Sequence, residues 1–285
     1  MTEPKLAVRA SGAGGRGYRH PHTNAIVPSV TTILKQLNKP ALIQWAVDQT
    51  AAFAVANIDG LLSRTEEQGW GFLRWYWNRD PLKGEVELRN FYNGVRDDAA
   101  ELGTMIHEWI AADHGEGLYP DTSMAPEFMW QMVEVWNEWS AQHDVKPIVS
   151  EGTVWSNYGY AGTLDGIWEI DGVRYLLDVK SSRNVYDEHY MQVAALGGAD
   201  VLMVEEGDGW VEKPIPEFDA YALLRIRPQD VDKDGNIREA YCKLEVLDSG
   251  EMPYHLEAFK KLVDVTNTQA SLKEYRKANQ KSSGF

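Results

Sequence analysis

A histidine, two aspartates and a lysine of this chain sit in three short stretches that could meet at one point. They are GTMIHEWI around His107, YAGTLDGIWEI around Asp165, and YLLDVKSS with Asp178 and Lys180. An imidazole, two carboxylates and an amine are what a divalent ion and an attacking water need to hydrolyse a phosphodiester. Glu151 upstream and Gln192 downstream are further candidates, able to hold a water near the ion or to orient a ligand.

The local patterns say how these groups could converge. Strand alternation puts Leu176, Asp178 and Lys180 on one face, with Tyr175, Leu177 and Val179 on the other. On the preceding strand Thr163, Asp165, Ile167 and Glu169 share a face. Asp171-Gly172 reads as a tight hairpin turn, so residues whose numbers sum to about 343 should lie opposite each other, Asp165 against Asp178. Two like charges side by side in a sheet are destabilising unless a cation lies between them. Oxygen ligands suit Mg²⁺ or Mn²⁺, and an imidazole shifts the preference toward Mn²⁺. Lys180, one pleat along, can hold the attacking water or offset phosphate charge. His107 falls on a helical pattern, with Gly103 one turn earlier on its face leaving room for a close approach.

Other motifs carry less. Asp-Val-Lys also occurs at Asp144-Val145-Lys146, but that copy precedes Pro147 and has no upstream strand aspartate. Gly12-x-Gly14-x-x-Gly17 imitates a dinucleotide fingerprint without the flanking strand and helix it requires. The Asp230, Asp232, Asp234, Gly235 run imitates a calcium loop but has Tyr241 where that loop needs Glu, so a hairpin turn is expected. Arg16, Arg19, Lys35, Lys39 and Arg183 lie near the motifs and are candidate phosphate contacts. Trp70, Phe72, Trp75, Tyr76 and Trp77 form core or, if exposed, a surface on which unpaired bases would stack.

The elements that must position these groups follow from periodicity. A helix capped near Ser29 is expected in VPSVTTIL, then short helices broken at Pro40. Apolar steps of three and four run through Leu88, Phe91, Val95, Ala99, Leu102, Ile106 and Trp109, and again through Phe128, Met132, Val135 and Trp139. Residues 147–156, 159–170 and 173–181 then alternate as strands, 187–198 as a helix, 219–227 and 239–248 as strands, and 251–279 as a helix. The expected fold class is α/β (α+β), an α-β-β-β-α-β core with a mixed central sheet. Residues 1–85 form an N-terminal arm and helical elaboration, and residues 86–285 form the core.

Composition limits the partners. The 285 residues are 44% hydrophobic and carry a net charge of −15, against the basic balance of a generic nucleic-acid binder. The charge is uneven: +3 over residues 1–30, +4 over 260–285 and −22 between. DNA contact must therefore be local. MTEPKLAVRA has no apolar signal core and no run is long enough for a bilayer, so a cytoplasmic location and no membrane partner are expected. The lone Cys242 excludes disulfides within the chain and a cysteine-held iron–sulfur cluster.

The chain resembles the RecB-like branch of the PD-(D/E)XK nucleases, which includes CRISPR-associated adaptation exonucleases and many phage exonucleases. The stretches VPSVTTIL, ELGTMIHEWI, YAGTLDGIWEI with LLDVKSS, and YDEHYMQVAAL carry the likeness over roughly residues 28–198. The resemblance implies a restriction-endonuclease-like core. It implies His107, Asp165, Asp178 and the Val179 backbone carbonyl as metal ligands, and Asp165, Asp178, Lys180 and Gln192 as the catalytic set; Glu151, from its place on the first strand, is a further candidate ligand. Two departures stand out: Leu196 replaces the family tyrosine four residues after the glutamine, and Leu164 replaces the proline before the first aspartate. The cluster cysteines of many relatives are absent.

The expected activity is a Mg²⁺- or Mn²⁺-dependent DNA exonuclease using one or two ions on single- or double-stranded ends. It would serve phage or repair recombination, in the host cytoplasm if phage-encoded. A recombination or replication protein, or a second copy of the chain, is the companion compatible with it. A structure-specific or restriction-like endonuclease, and a non-catalytic DNA-end binding module, are the alternatives.

Overall fold

The Gly- and Arg-rich arm is a small antiparallel sheet of β1 (Ala7–Ala10), β2 (Gly15–Arg19) and β3 (Ile26–Pro28). The computed structural model describes residues 6–10, 15–37, 40–69, 77–80, 84–87, 91–115, 117–123, 125–232 and 234–282. Gly12, Gly14, Lys39, Trp70, Phe72, Trp75, Tyr76 and Leu88 lie outside them.

Helix α1 (Val30–Leu34) starts at Ser29, whose Oγ accepts the Thr32 N–H at 3.0 Å, as the capping pattern predicts. Helix α2 (Pro40–Ala56) opens on its proline, where the missing N–H is harmless. Next come α3 (Ile58–Gln68), a hairpin of β4 (Trp77–Asp80) and β5 (Gly84–Glu87), α4 (Phe91–Asp113) and α5 (Glu127–Ser140). Strands β6 (Val145–Ser156), β7 (Tyr160–Ile170) and β8 (Val173–Lys180) follow, then α6 (Asp187–Gly197). A hairpin of β9 (Val201–Glu206) and β10 (Gly209–Lys213) leads to β11 (Ala220–Arg227), the short pair β12 (Asp230–Val231) and β13 (Ile237–Arg238), β14 (Tyr241–Val246) and α7 (Met252–Ser282).

The class is mixed α/β. The central sheet has seven strands in the order β10-β9-β6-β7-β8-β11-β14, antiparallel except for the parallel pair β8–β11. The β9–β10 hairpin was not expected from the sequence and extends the sheet beyond β6. The turn at Asp234-Gly235 closes β12–β13 rather than joining β11 directly to β14.

The chain divides into two units, Met1–Leu37 with Met105–Phe285, and Asn38–Thr104. The sequence reading placed its boundary at residue 85. The arm instead groups with the sheet, through the bridge between Ser29 and Ala161 and the Tyr18 hydroxyl on Thr163 Oγ1 at 2.8 Å. The second unit holds α2, α3, the β4–β5 hairpin and the start of α4.

In the sheet-bearing unit, α1, α6 and α7 cover one face. Val30, Ile33, Ile167, Leu176, Val193, Phe259 and Val263 form its core. Trp168, two residues from Gly166 on β7, packs toward Trp136 of α5 and His114 instead. The polar row described next lies on the α6 side, since Leu176 and Asp178 share a face by alternation. Among the described residues no helix is long and apolar enough to cross a membrane.

Candidate metal centre

Three neighbouring strands bring the acidic residues into one row. The β7–β8 ladder runs from Ile170↔Val173 to Gly166↔Leu177, every pair summing to 343 as predicted. The turn that sets it has Asp171 at φ 52° and Gly172 at φ 83°, both positive as a type I′ turn demands. Asp165 and Asp178 are the next residues beyond the last pair. On the other side, Ser150↔Gly166 and Gly152↔Leu164 flank Glu151 and Asp165. Glu151, Asp165 and Asp178 thus occupy corresponding positions on β6, β7 and β8. Glu151 reaches its place with φ 50°, a left-handed conformation costing a non-glycine residue about 1 kcal/mol or more.

The strands part at this row. Past Leu177 the backbone pairing gives way to a side chain: the Val179 N–H donates to Asp165 Oδ2 at 2.7 Å. The Val179 carbonyl, on the other side of the same residue, faces His107 Nε2 at 3.0 Å, and His107 Nδ1 lies 3.5 Å from Asp165 Oδ2. Residues 105–113 of α4 deliver this imidazole within the sheet-bearing unit. Ligand atoms of His107, Glu151 and Asp165 lie within 4.8 Å of one another. An octahedral ion with ligands at about 2.1 Å holds neighbouring donors about 3 Å apart and opposite donors about 4.2 Å apart. The donor set is hard oxygen plus one imidazole and the spacing nearly closed, so these residues fit Mg²⁺ or Mn²⁺.

Asp178 does not join that trio. It is 1% exposed, and a buried carboxylate needs partners of its own. Its Oδ1 accepts the Gln192 amide at 2.8 Å and its Oδ2 meets the Lys180 ammonium. Lys180 Nζ also donates to Gln192 Oε1 at 3.2 Å, which closes a three-membered ring of side chains. Gln192, a secondary candidate by sequence, is the clamp on both Asp178 and Lys180. Burial pushes the Asp178 carboxyl up against the pull of Lys180. Burial also favours a neutral Lys180, but the Asp178 and Asp165 carboxylates outweigh it and hold the amine above its usual value. Lys180 thus presents an ammonium with its charge and N–H donors to Asp178 and Gln192.

Among the described candidate phosphate contacts, only Arg16 reaches the centre. It lines a small pocket of about 100 Å³ together with Glu151, Asp165 and Gln192. Arg183 turns to Asp230 Oδ2 and the Val231 carbonyl, Arg19 and Lys35 stay on the surface, and Lys39 is outside the described residues. A larger cleft of about 1180 Å³ opens from His107 and Glu151 across β6 and β9 to Trp210, with Tyr119 on its wall. Tyr18, Tyr119 and Trp210 were not singled out by sequence. Only Tyr18 left a signal there, two residues from Arg16 on a short alternating strand.

No protein-family model and no curated protein matches this chain.

Proposed function

We propose that this chain is a Mg²⁺- or Mn²⁺-dependent deoxyribonuclease of the PD-(D/E)XK type, acting as an exonuclease on DNA ends. The observation that carries the reading is the row Glu151, Asp165, Asp178 with His107 at the fork of β7 and β8. Its element order, a helix, three antiparallel strands, a helix and, after the inserted β9–β10 hairpin, a parallel strand, agrees with the restriction-endonuclease-like core.

His107, Glu151, Asp165 and the Val179 carbonyl would hold the ion, with Asp178 at the border. A divalent ion bound there supplies Lewis-acid charge to a scissile phosphate and favours an ionised water at neutral pH. The chain's own contributions are separable. Asp165 both offers an oxygen and pins Val179 through its N–H, which keeps the carbonyl aimed at His107. Lys180 presents a fixed positive charge beside the row. Gln192 fixes Lys180 and Asp178 in one arrangement, the kind of support that keeps a reacting geometry within tenths of an ångström.

A cytoplasmic role in phage or repair recombination accompanies this proposal, in the host cytoplasm if phage-encoded, with a recombination or replication protein as companion. The test incubates single- and double-stranded DNA, labelled at the 5′ or 3′ end, with Mg²⁺ or Mn²⁺. A progressive ladder from one end supports the exonuclease. Cleavage of covalently closed circles would make the chain an endonuclease. DNA binding without cleavage under either ion would leave an end-binding module.

A further inference from the structure

We infer that the small pocket beside the metal centre seats a phosphate of the DNA backbone against the Arg16 guanidinium; the inference rests on the nuclease reading above. The lining of that pocket includes the carboxylates of Glu151 and Asp165, and among the described residues Arg16 is the only Lys or Arg on it. Arg16 shares that lining with both carboxylates. Among the described residues no ion pair holds Arg16. A guanidinium in one lining with residues that would hold a divalent ion suits a singly or doubly charged oxyanion rather than a base or sugar.

The backbone explains why Arg16 faces the pocket. On β2, alternation places Arg16 on the same side as Tyr18. Tyr18 is fully buried with its hydroxyl on Thr163, two residues before Asp165. The Arg16 carbonyl accepts both the Ser29 N–H at 3.1 Å and the Thr32 hydroxyl at 2.7 Å. Its position is thus fixed by main-chain bonds, while its side chain is exposed. The pocket's size, about 100 Å³, admits one phosphate group and little more.

Two measurements on the full chain test this. In the first, inorganic phosphate is titrated into wild type, Arg16→Ala and Arg16→Lys with Mg²⁺ present. Removing a charge-assisted pair should weaken phosphate binding about tenfold or more in Arg16→Ala. Arg16→Lys should be intermediate, because it keeps the charge and loses the fork. In the second, DNA binding is measured in Ca²⁺ with oligonucleotides carrying one uncharged methylphosphonate at successive positions near the end. One position should weaken wild type and cause no additional loss in Arg16→Ala, which identifies the backbone phosphate rather than a free one. Equal phosphate affinity in wild type and Arg16→Ala overturns the inference, as do additive effects at every methylphosphonate position. Both variants keep the main-chain bonds of residue 16, so unchanged melting is the folding control. Neither arm needs turnover: a chain that cleaves no DNA would remove the nuclease reading and leave these results standing. If it bound no DNA either, the phosphate titration alone would decide whether the pocket exists.

Discussion

Asp165 accepts the Val179 N–H at 2.7 Å one residue beyond the point where β7 and β8 stop pairing. A carboxylate thereby replaces a backbone ladder bond, and the strand end it secures carries a carbonyl toward His107. The strand end and the proposed metal site share one side chain here, so substitutions at the fork should separate the two only when they keep the hydrogen bond.

Asp165→Asn keeps an oxygen for the Val179 N–H and removes the charge. Loss of a charged ligand at a metal-dependent site should lower cleavage by about 10³-fold, with a melting temperature near wild type. Asp178→Asn should lose activity similarly. Cleavage within threefold of wild type at micromolar Mn²⁺ for either variant would sink the site assignment. In wild type, chelation of the ion should abolish cleavage and its return restore it.

Ion binding should also register as stability. A ligand at about 100 times its Kd adds about 2.7 kcal/mol to the folded state. Urea midpoints of wild type should therefore rise with Mn²⁺, and those of Asp165→Asn should not. Equal Mn²⁺ responses in the two proteins would place the ion elsewhere.

Glu151 combines a left-handed backbone with a ligand position. Glu151→Gln removes the charge and keeps the strain. Glu151→Gly removes both, and without Mn²⁺ it should be more stable than Glu151→Gln by about 1 kcal/mol. Both should bind the ion more weakly than wild type, as metal titrations followed by melting would show. A Glu151→Gly less stable than Glu151→Gln would mean the backbone is not strained there.

Removing Lys180 strands a carboxylate that is 1% exposed. Lys180→Met should cost about 3 kcal/mol, the scale for breaking a buried ion pair, and adding Asp178→Asn should recover most of it. Gln192→Ala breaks two bonds of the same ring and should reduce cleavage about 10–100-fold with a smaller loss of stability. A non-recovering double variant would show that the pair is not coupled.

Burial pushes the Cys242 thiol up from 9.0 to about 12. Below about pH 9 the thiol is neutral in both states and its stabilising contribution is complete. Between about pH 9 and about 12 only the unfolded chain ionises, so stability falls by up to about 1.4 kcal/mol per pH unit. Cys242→Ala should flatten this part of the pH–stability curve. Native protein at pH 8 should also resist iodoacetamide until denatured. Labelling as fast in the native as in the denatured protein would contradict a shielded, half-buried thiol.

The sequence by itself determined what depends on neighbouring residues. The Asp171-Gly172 turn sets a two-residue hairpin, and a two-residue hairpin admits one register, so the sum of 343 could be counted before any coordinates existed. The Ser29 cap and α6 over residues 187–197 were legible for the same reason, since a cap and a 3.6-residue period are local. Tertiary structure alone decided the rest. Glu151, a further candidate by sequence, came level with Asp165 because β6 pairs with β7 across an irregular ladder, and its left-handed φ has no signature in residue type. Asp178 turned from the trio to Lys180 and Gln192 because α6 packs on that face, where a buried charge takes the nearest donors. Arg16 was one of five basic candidates until Tyr18 and Thr163 docked its strand 145 residues away in sequence from the sheet. Pairings over such separations depend on which apolar faces find each other, and short-range periodicity does not encode that choice.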